Sequence, residues 1–358
     1  MRVLLALIRF AELTGAELYC HDLAVELTRR GNAVAIVAPE TGGEIARRAR
    51  DAGVEVFSFE DCPPGWHPDV LHVQELVPAA FALALYPRAA VVATVHSEFA
   101  YERPFVSDRV WRYVCVRPSV EAHVRLHYGV PADRTLVIGN GIDADRFRRV
   151  APRAGAPPRR RRVLFVGSVD HLRRGALEDL IARGARDGFR VRVVGERRED
   201  YLDRSPAHVE LVPPTWHVER HLAEADETAG VLFGRTTVES WFAGLPAWVY
   251  DIDRDGSVRS RDRLEPPADL SEFEIGTVTD RLWDVYREAV SAVRADDLGP
   301  AVDSLGLAAA VNAAELVRMR RELADVRGEM NAWRRRFAGV AHLAERVARV
   351  RPKRRRGG

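Results

Sequence analysis

"GRTTVESWFAGLPAWVYDID", residues 234–253, contains the helix and turn signals from which the architecture of the chain can be predicted. The apolar run "AGVLFG", residues 229–234, leads into it as a strand and ends at a glycine that allows close backbone approach. A helix then follows, a Gly-Leu-Pro break ends that helix, and a second apolar strand runs to two aspartates. A helix that follows a strand in this way presents free N–H groups and the positive end of its dipole to an anion such as a phosphate.

Glu239 falls in about the first turn of this predicted helix, and we expect Thr236 or Thr237 to cap the helix. A carboxylate at this position can accept two hydrogen bonds from the hydroxyl groups of a ribose. The alternative is that Glu239 only complements the helix dipole. The spacing of the residues alone leaves both interpretations open.

The rest of the chain repeats the alternation of apolar strands and amphipathic helices. "RVLLALI", "AVAIVAP" and "AAVVATVH" are predicted strands of one sheet, and "RVLFVGS", "VRVVGE" and "HVELVP" of another. We therefore predict an α/β fold with two Rossmann-like domains, each a doubly wound parallel sheet, facing each other across a cleft. The predicted bounds are 1–150 for the first domain, 151–162 for a Pro/Ala/Arg-rich linker, 163–300 for the second domain, and 301–358 for a helical tail.

Composition agrees with a two-domain protein of this kind. The chain has 358 residues, with 47% hydrophobic and 30% charged residues, which describes a soluble globular protein. Cys20, Cys62 and Cys115 are widely spaced and are expected to be reduced, buried thiols. The N-terminus does not resemble a signal peptide, and no apolar run is long enough to span a membrane. We expect a cytoplasmic protein.

The C-terminal tail differs in charge from the rest of the chain. Residues 313–358 carry 14 Arg or Lys against 5 Asp or Glu, and apolar residues recur in four heptads over 314–340. This pattern favours a homodimer formed through a coiled coil. The alternatives are that the tail folds back on the acidic body, or that it contacts anionic lipid at the inner face of the membrane. No nucleic-acid partner is expected, because no aromatic residues accompany the charge in a known binding module.

Residues 1–300 resemble the GT-B glycosyltransferases of glycosyltransferase family 4. One branch of that family has Gly-Arg-x-x-x-Glu, a Gly-x-Pro break and a strand ending in Tyr-Asp, and this chain has Gly234-Arg235-Thr236-Thr237-Val238-Glu239, Gly244-Leu245-Pro246 and Tyr250-Asp251. The resemblance implies that Glu239 binds the ribose of a nucleotide sugar donor. It also implies that Thr236, Thr237 and the backbone around them, Arg235 included, face the diphosphate.

Two segments of the first domain resemble the same family. "TGAELYCHDLAVEL" is similar to its first loop and helix, where Gly15 would let the backbone approach the donor phosphates. "ATVHSEF" places His96 directly after a strand, where the family often has a histidine that contacts the transferred sugar. The alternative is a loop histidine satisfied by its own neighbours. Glu98 is a further candidate, for orienting the acceptor.

"VGSVDHLRRGALEDLI" is similar to the first strand, loop and helix of the family's second domain, but it departs from the pattern. After the strand glycine, Gly167, the family has an arginine where this chain has Ser168. Arg173 or Arg174 can replace the lysine that follows in the family and neutralise the diphosphate. The alternative is a solvated loop arginine, and Arg235 is another source of the missing charge.

Two more positions bear on the donor site. Many family members have a glutamate eight residues before the ribose-binding one, and this chain has Val231 there. Trp216 follows the strand "HVELVP", where it can either stack on the base of the nucleotide or pack in the core.

The resemblance implies an enzyme that moves a sugar from a nucleotide diphosphate sugar to a hydroxyl acceptor with retention at the anomeric carbon. We expect no cofactor beyond that donor, and no metal, because basic side chains and a helix dipole can stabilise the diphosphate. The rival interpretations are a nucleotide-sugar epimerase and a non-catalytic scaffold or binding protein with the same architecture. Ser168 and Val231 favour the scaffold, and the intact Glu239 segment argues against it.

Overall fold

The computed structural model describes residues 1–99, 102–149, 160–253 and 256–295. The predicted tail from residue 301, with its heptads, lies outside the described residues, and so does most of the predicted linker.

The first sheet has seven parallel strands in the order β3-β2-β1-β4-β5-β6-β7. The interior strand β1 is buried on both faces, because Val3 and Leu5 pack in one hydrophobic cluster and Leu4 and Ala6 in the cluster on the other side. This arrangement explains why the strands read as continuous apolar runs. The strands are β1 Arg2–Ala6, β2 Ala33–Ala38, β3 Glu55–Ser58, β4 Val70–Val73, β5 Ala90–Val95, β6 Val110–Cys115 and β7 Thr135–Val137.

Helices connect these strands and cover both faces of the sheet. They are α1 Gly15–Arg29, α2 Gly43–Asp51, α3 Leu76–Leu85, α4 Pro118–Tyr128 and α5 Ala144–Arg148. The first helix contributes Leu23 and Leu27 to the hydrophobic cluster that also holds Leu5. Its first residue therefore lies at the carboxyl end of β1, where ligands bind in sheets of this type.

The second sheet has six strands in the order β10-β9-β8-β11-β12-β13. They are β8 Arg162–Val166, β9 Arg190–Val194, β10 Val209–Val212, β11 Glu227–Val231, β12 Ala247–Ile252 and β13 Val258–Leu264, and the helices between them are α6 His171–Asp187, α7 Val218–Leu222 and α8 Arg235–Phe242. The last strand runs antiparallel to β12, and the sequence did not predict it. Its segment "VRSRDRL" is mostly charged because it is an exposed edge strand.

The predicted α/β architecture of two doubly wound domains is confirmed, and one helix adds to it. Helix α9, Ile275–Ala295, follows the second sheet in the chain but packs on the first. Its residues Val278, Leu282 and Tyr286 are fully buried there, and the Tyr286 hydroxyl lies 2.6 Å from Nδ1 of His72 in β4. The domain bounds drawn from the sequence remain a prediction.

Two further expectations can be compared with the described residues. All three cysteines are buried and unpaired, as the sequence predicted. Within the described ranges, no helix is both long and apolar enough to cross a membrane.

Candidate functional site

Helix α8 starts at the carboxyl end of β11, and its N-terminus has no side-chain cap. Leu232, directly after β11, adopts a left-handed backbone with φ of 58°, and Gly234 is the N-cap. The helix begins at Arg235, so the expectation that Thr236 or Thr237 caps it is wrong; Thr236 is half-buried and Thr237 buried in the first turn. Gly234 has no side chain to cap the helix, although its carbonyl accepts a hydrogen bond of 3.1 Å from the Thr237 N–H. The N–H groups that precede Thr237 in the first turn suit an anion.

Glu239 lies in the second turn of α8 and is only 4% exposed. Its Oε1 accepts a hydrogen bond of 2.6 Å from Nε of Arg235, one helical turn earlier. Nη2 of the same arginine donates across the cleft to Oδ2 of Asp22 in α1, at 2.7 Å. Asp22, Arg235 and Glu239 thus form an interdomain ion cluster that joins the two domains beside the predicted ribose site.

The two carboxylates of the interdomain ion cluster have different pKa shifts although they share one arginine. Burial acts to raise the pKa of Asp22, but Arg235 and His21 outweigh it and lower that pKa to about 2. Burial raises the pKa of Glu239 in spite of Arg235. His21, whose Nδ1 lies 3.0 Å from Oδ1 of Asp22, adds to the lowering of the Asp22 pKa, whereas the charge of Asp22 acts to raise the pKa of Glu239.

Trp216 is buried at the junction of the domains, 8% exposed. The His21 ring meets it edge-on with centroids 4.8 Å apart, and the guanidinium groups of Arg48 and Arg146 lie 4.5 and 4.7 Å from its ring centroid. The Trp216 carbonyl also accepts a hydrogen bond of 2.6 Å from Nη2 of Arg146. These contacts fit the core-packing alternative, and a contact with a base remains a prediction.

Gly15 is the first residue of α1, and a side chain placed there would meet nothing within 4 Å. The loop before it is held by Glu17, which accepts hydrogen bonds from Nε of Arg9 at 2.9 Å and from the backbone N–H of Glu12 at 2.6 Å. Arg198 of the second domain donates to Glu12 at 2.5 Å. The loop therefore borders the cleft, where the resemblance places Gly15.

Burial controls the charge of the carboxyl groups under this loop. It raises the pKa of Glu17 to about 7, although Arg9 opposes the shift. It also raises the pKa of Glu75, whose Oε2 accepts a hydrogen bond from the N–H of Ile8, to about 8. Both carboxyl groups therefore change charge near neutral pH.

His96 is half-buried at the end of β5, where its Nε2 lies 2.7 Å from Oε1 of Gln74 and its ring packs edge-on against Tyr19. Burial lowers the pKa of His96 to about 4, so the imidazole is neutral at pH 7. A neutral imidazole can exchange hydrogen bonds with a sugar hydroxyl but does not carry a positive charge.

Glu98 is paired within the protein. Its Oε2 accepts a hydrogen bond from Nη2 of Arg117, whose Nη1 donates to the carbonyl of Phe233 at 3.0 Å, just before α8. Arg117 is thus another residue that joins the domains. A role of Glu98 toward the acceptor remains a prediction.

The structure separates Arg173 from Arg174. Asp170 caps α6 by accepting from the Arg173 N–H, and it also pairs with Nη1 of Arg173 at 2.5 Å. The Arg173 side chain lies against Gly167, which precedes Ser168, and its charge opposes the rise that burial causes in the pKa of Glu102 in the first domain. Arg174 is exposed and paired with Glu178 at 2.8 Å. Only Arg173 therefore faces the first domain.

Val231 ends β11 and packs with the hydrophobic cluster of the second sheet. The two aspartates that end the opening stretch, Asp251 and Asp253, lie 3.6 and 3.1 Å from Nε of Arg259. Among the described residues, no group of three or more His, Cys, Asp or Glu has an arrangement that could hold a metal ion.

Three functional candidates were missed in the sequence: His21, Asp22 and Arg117. Asp22 offered one signal, since it is a carboxylate on the face of α1 that also carries the buried Tyr19 and Leu23. No sequence pattern links it to Arg235, 213 positions away.

The sequence of the first domain matches a known protein family. Residues 13–146 match the sequence model of glycosyltransferase family 4, a range that includes Gly15 and His96 but ends before the second domain. No curated protein sequence matches the chain.

Solved structures match the fold over both domains. Anabaena HepE in complex with UDP and glucose superposes with a TM-score of 0.55 at 16% identity, covering 92% of this chain and 100% of HepE. AviGT4, a glycosyltransferase involved in avilamycin A biosynthesis, gives 0.52 at 16% identity and covers 81% and 98% of the two chains. A glycosyltransferase from Rickettsia africae gives 0.52 at 14% identity, covering 90% and 97%. The chain has the GT-B glycosyltransferase fold and resembles glycosyltransferase family 4.

Proposed function

We propose that this protein transfers a sugar from a nucleotide diphosphate sugar to a hydroxyl acceptor, with retention at the anomeric carbon and without a metal ion. The observation that carries the proposal is the position of Glu239. It lies on the helix that begins at the carboxyl end of β11, beside an N-terminus without a side-chain cap, and next to the first domain. HepE, which shares the fold, binds UDP and glucose.

In this proposal the second domain holds the donor and the first domain holds the acceptor. Glu239 accepts hydrogen bonds from the ribose hydroxyls, while the N-terminus of α8 around Thr236 and Thr237 receives the diphosphate. Gly15 leaves room for the backbone of the first domain to approach the phosphates. In this proposal Trp216 lies near the base of the bound nucleotide.

Arg173 supplies the positive charge for the leaving group. Negative charge develops on the diphosphate as the bond to the anomeric carbon breaks, and a fixed cation with helix N–H groups stabilises that charge. Arg173 suits this role because it faces the first domain from beside Gly167 and Ser168. Arg174 points to Glu178 instead, and we exclude it from the proposed site.

Arg235 acts on Glu239 and does not supply the charge missing at Ser168. Its Nε and Nη2 already bind two carboxylates, and the side chain is only 6% exposed. His96, neutral at pH 7, exchanges hydrogen bonds with a hydroxyl of the transferred sugar. The retaining outcome rests on the family resemblance.

Two proposals concern segments outside the described residues. The favoured proposal is a homodimer through the heptads of 314–340, and the alternative is contact of the basic tail with the inner face of the membrane, where a lipid-linked acceptor would be present. Both are tested by comparing the full chain with a version ending at residue 300, in sedimentation and in vesicle flotation.

Nucleotide binding tests the proposed function. The protein is titrated calorimetrically with UDP, GDP, dTDP and ADP, with and without Mg²⁺, and the titration is repeated with Glu239→Ala. We expect one nucleotide to bind without metal and the substitution to weaken that binding at least tenfold, since a buried acceptor for ribose hydroxyls is lost. Full affinity in Glu239→Ala would refute the ribose site. Binding of none of the four would support the scaffold.

A further inference from the structure

The guanidinium group of Arg235 divides two neighbouring N–H donors between two carboxylates. Nε and the adjacent Nη2 form the fork that commonly grips both oxygens of a single carboxylate. Here Nε goes to Oε1 of Glu239 at 2.6 Å, whereas Nη2 goes to Oδ2 of Asp22 at 2.7 Å. The fork is therefore divided between the two domains, and Oε2 of Glu239 receives neither bond.

Asp22 is itself held in place for this contact. Its Oδ1 lies 3.0 Å from Nδ1 of His21, which leaves Oδ2 for Arg235. Helix α1 fixes both residues against the first sheet through the buried Leu23 and Leu27. All three members of the interdomain ion cluster are more than nine-tenths buried, so water does not compete effectively for these bonds.

We propose that Asp22 is a positioning residue for Glu239, acting through Arg235, so that the affinity of the second domain for nucleotide depends on the first domain. This proposal rests on the proposed function of Glu239. By holding Nη2, Asp22 prevents Arg235 from gripping both oxygens of Glu239 and keeps one oxygen ready for a ribose hydroxyl.

The same geometry couples nucleotide binding to the approach of the domains. When α1 and α8 separate, Arg235 loses Asp22, and its fork becomes free to take Oε2 of Glu239 as well. Ribose must then compete with a bidentate ion pair. Nucleotide thus binds better when the domains are together, and by linkage bound nucleotide favours that arrangement.

Asp22→Asn tests the proposal, because it removes the charge with little change in shape. The control is Asp280→Asn, which removes a carboxylate bonded to Arg30, the C-cap residue of α1, at 2.5 Å and not to Arg235. Affinity is measured by calorimetry with whichever of UDP, GDP, dTDP and ADP binds the wild type. We expect about a tenfold loss for Asp22→Asn and less than a twofold change for Asp280→Asn.

A double-mutant cycle with Glu239→Gln separates positioning from a general structural effect. In the Glu239→Gln background, an Arg235 released from Asp22 finds no carboxylate at position 239 to grip with both donors, so Asp22→Asn should cost less than threefold there. A merely structural role of Asp22 would lower the melting temperature but leave the affinity of the folded protein unchanged. Asp22→Glu, which restores the charge, should recover affinity to within threefold of the wild type.

The outcomes are distinguishable. Wild-type affinity in Asp22→Asn together with weak binding by Glu239→Gln would overturn the positioning role and leave the proposed function standing. Wild-type affinity in Glu239→Gln would overturn the ribose site itself. Equal losses of affinity from Asp22→Asn in the wild type and in Glu239→Gln would also overturn the proposal. If Asp22→Asn does not fold, Asp22→Ser replaces it, with the same tenfold loss of affinity expected.

Discussion

Replacing Arg235 with methionine should destabilise the protein strongly at neutral pH and much less at acidic pH. The substitution keeps most of the side-chain volume but leaves Asp22 and Glu239 as buried carboxylates without their cation. Breaking a buried ion pair by removing one partner costs about 3–5 kcal/mol. The net lowering of the Asp22 pKa from 3.8 to about 2, to which Arg235 and His21 both contribute, corresponds to roughly 2 kcal/mol at 1.36 kcal/mol per unit.

The sign of the pH dependence follows from the carboxylates. In the wild type the lowered pKa of Asp22 contributes stability above its unfolded value, and this contribution is lost only as the pH falls from about 4 to 2. Without Arg235, burial acts to raise the pKa of both carboxyl groups in the folded state with less opposition. The penalty is then greatest while they remain ionised, and it shrinks as acid protonates them.

Melting temperatures of the wild type and Arg235→Met, measured at pH 7.5 and pH 5, check this prediction. At about 2 °C per kcal/mol for a chain of this size, the loss at pH 7.5 should be roughly 6–10 °C, and clearly smaller at pH 5. Arg47→Met is the control, since Arg47 forms an exposed pair with Asp51 and its loss should cost less than about 1 kcal/mol. A loss below about 2 °C at pH 7.5, or one independent of pH, would show that Arg235 is not the cation that stabilises these two buried carboxylates.

Three further predictions concern other parts of the site. The stability of the wild type should fall as the pH rises from about 4.5 to 7, because burial raises the pKa of Glu17 to about 7, and the loss of unfolding free energy from this group is at most about 3 kcal/mol. Melting curves of Glu17→Gln over the same pH range should show a shallower decline. An unchanged decline would show that Glu17 is not its cause. Arg173→Ala should weaken binding of the nucleoside diphosphate in calorimetry at least tenfold and Arg174→Ala less than threefold, because only Arg173 faces the cleft, and equal effects would contradict that assignment. The three cysteine thiols should not react with Ellman's reagent in the native protein at pH 7, because burial raises the pKa of each, that of Cys115 to about 12. All three should react in denaturant. Rapid labelling of the native protein would contradict their burial.

The sequence predicted the two sheets because their strands are buried on both faces and read as apolar runs. It missed β13 for the opposite reason, since that strand is an exposed edge with charges along "VRSRDRL". It also could not show where α9 packs. Amphipathic spacing identifies the buried face of a helix but does not say which sheet covers it, and Tyr286 meets the first sheet.

The candidate site was predicted in part. Local motifs identified Glu239 and the start of α8, because the strand, helix and turn residues lie together in the chain. The partners of Glu239 depend on contacts between residues far apart in sequence. The Asp22–Arg235 contact is one of these, and it changes the interpretation of Arg235 from a diphosphate ligand to a partner of Glu239.

The most direct test of the account is calorimetric titration of the wild type and Glu239→Ala with UDP, GDP, dTDP and ADP. We expect one of these nucleotides to bind the wild type, adding about 2.7 kcal/mol of stability at 100 times its dissociation constant, and Glu239→Ala to bind it at least tenfold more weakly. Equal affinity in the two proteins would contradict the assignment of Glu239 to the ribose, and with it the proposed donor site.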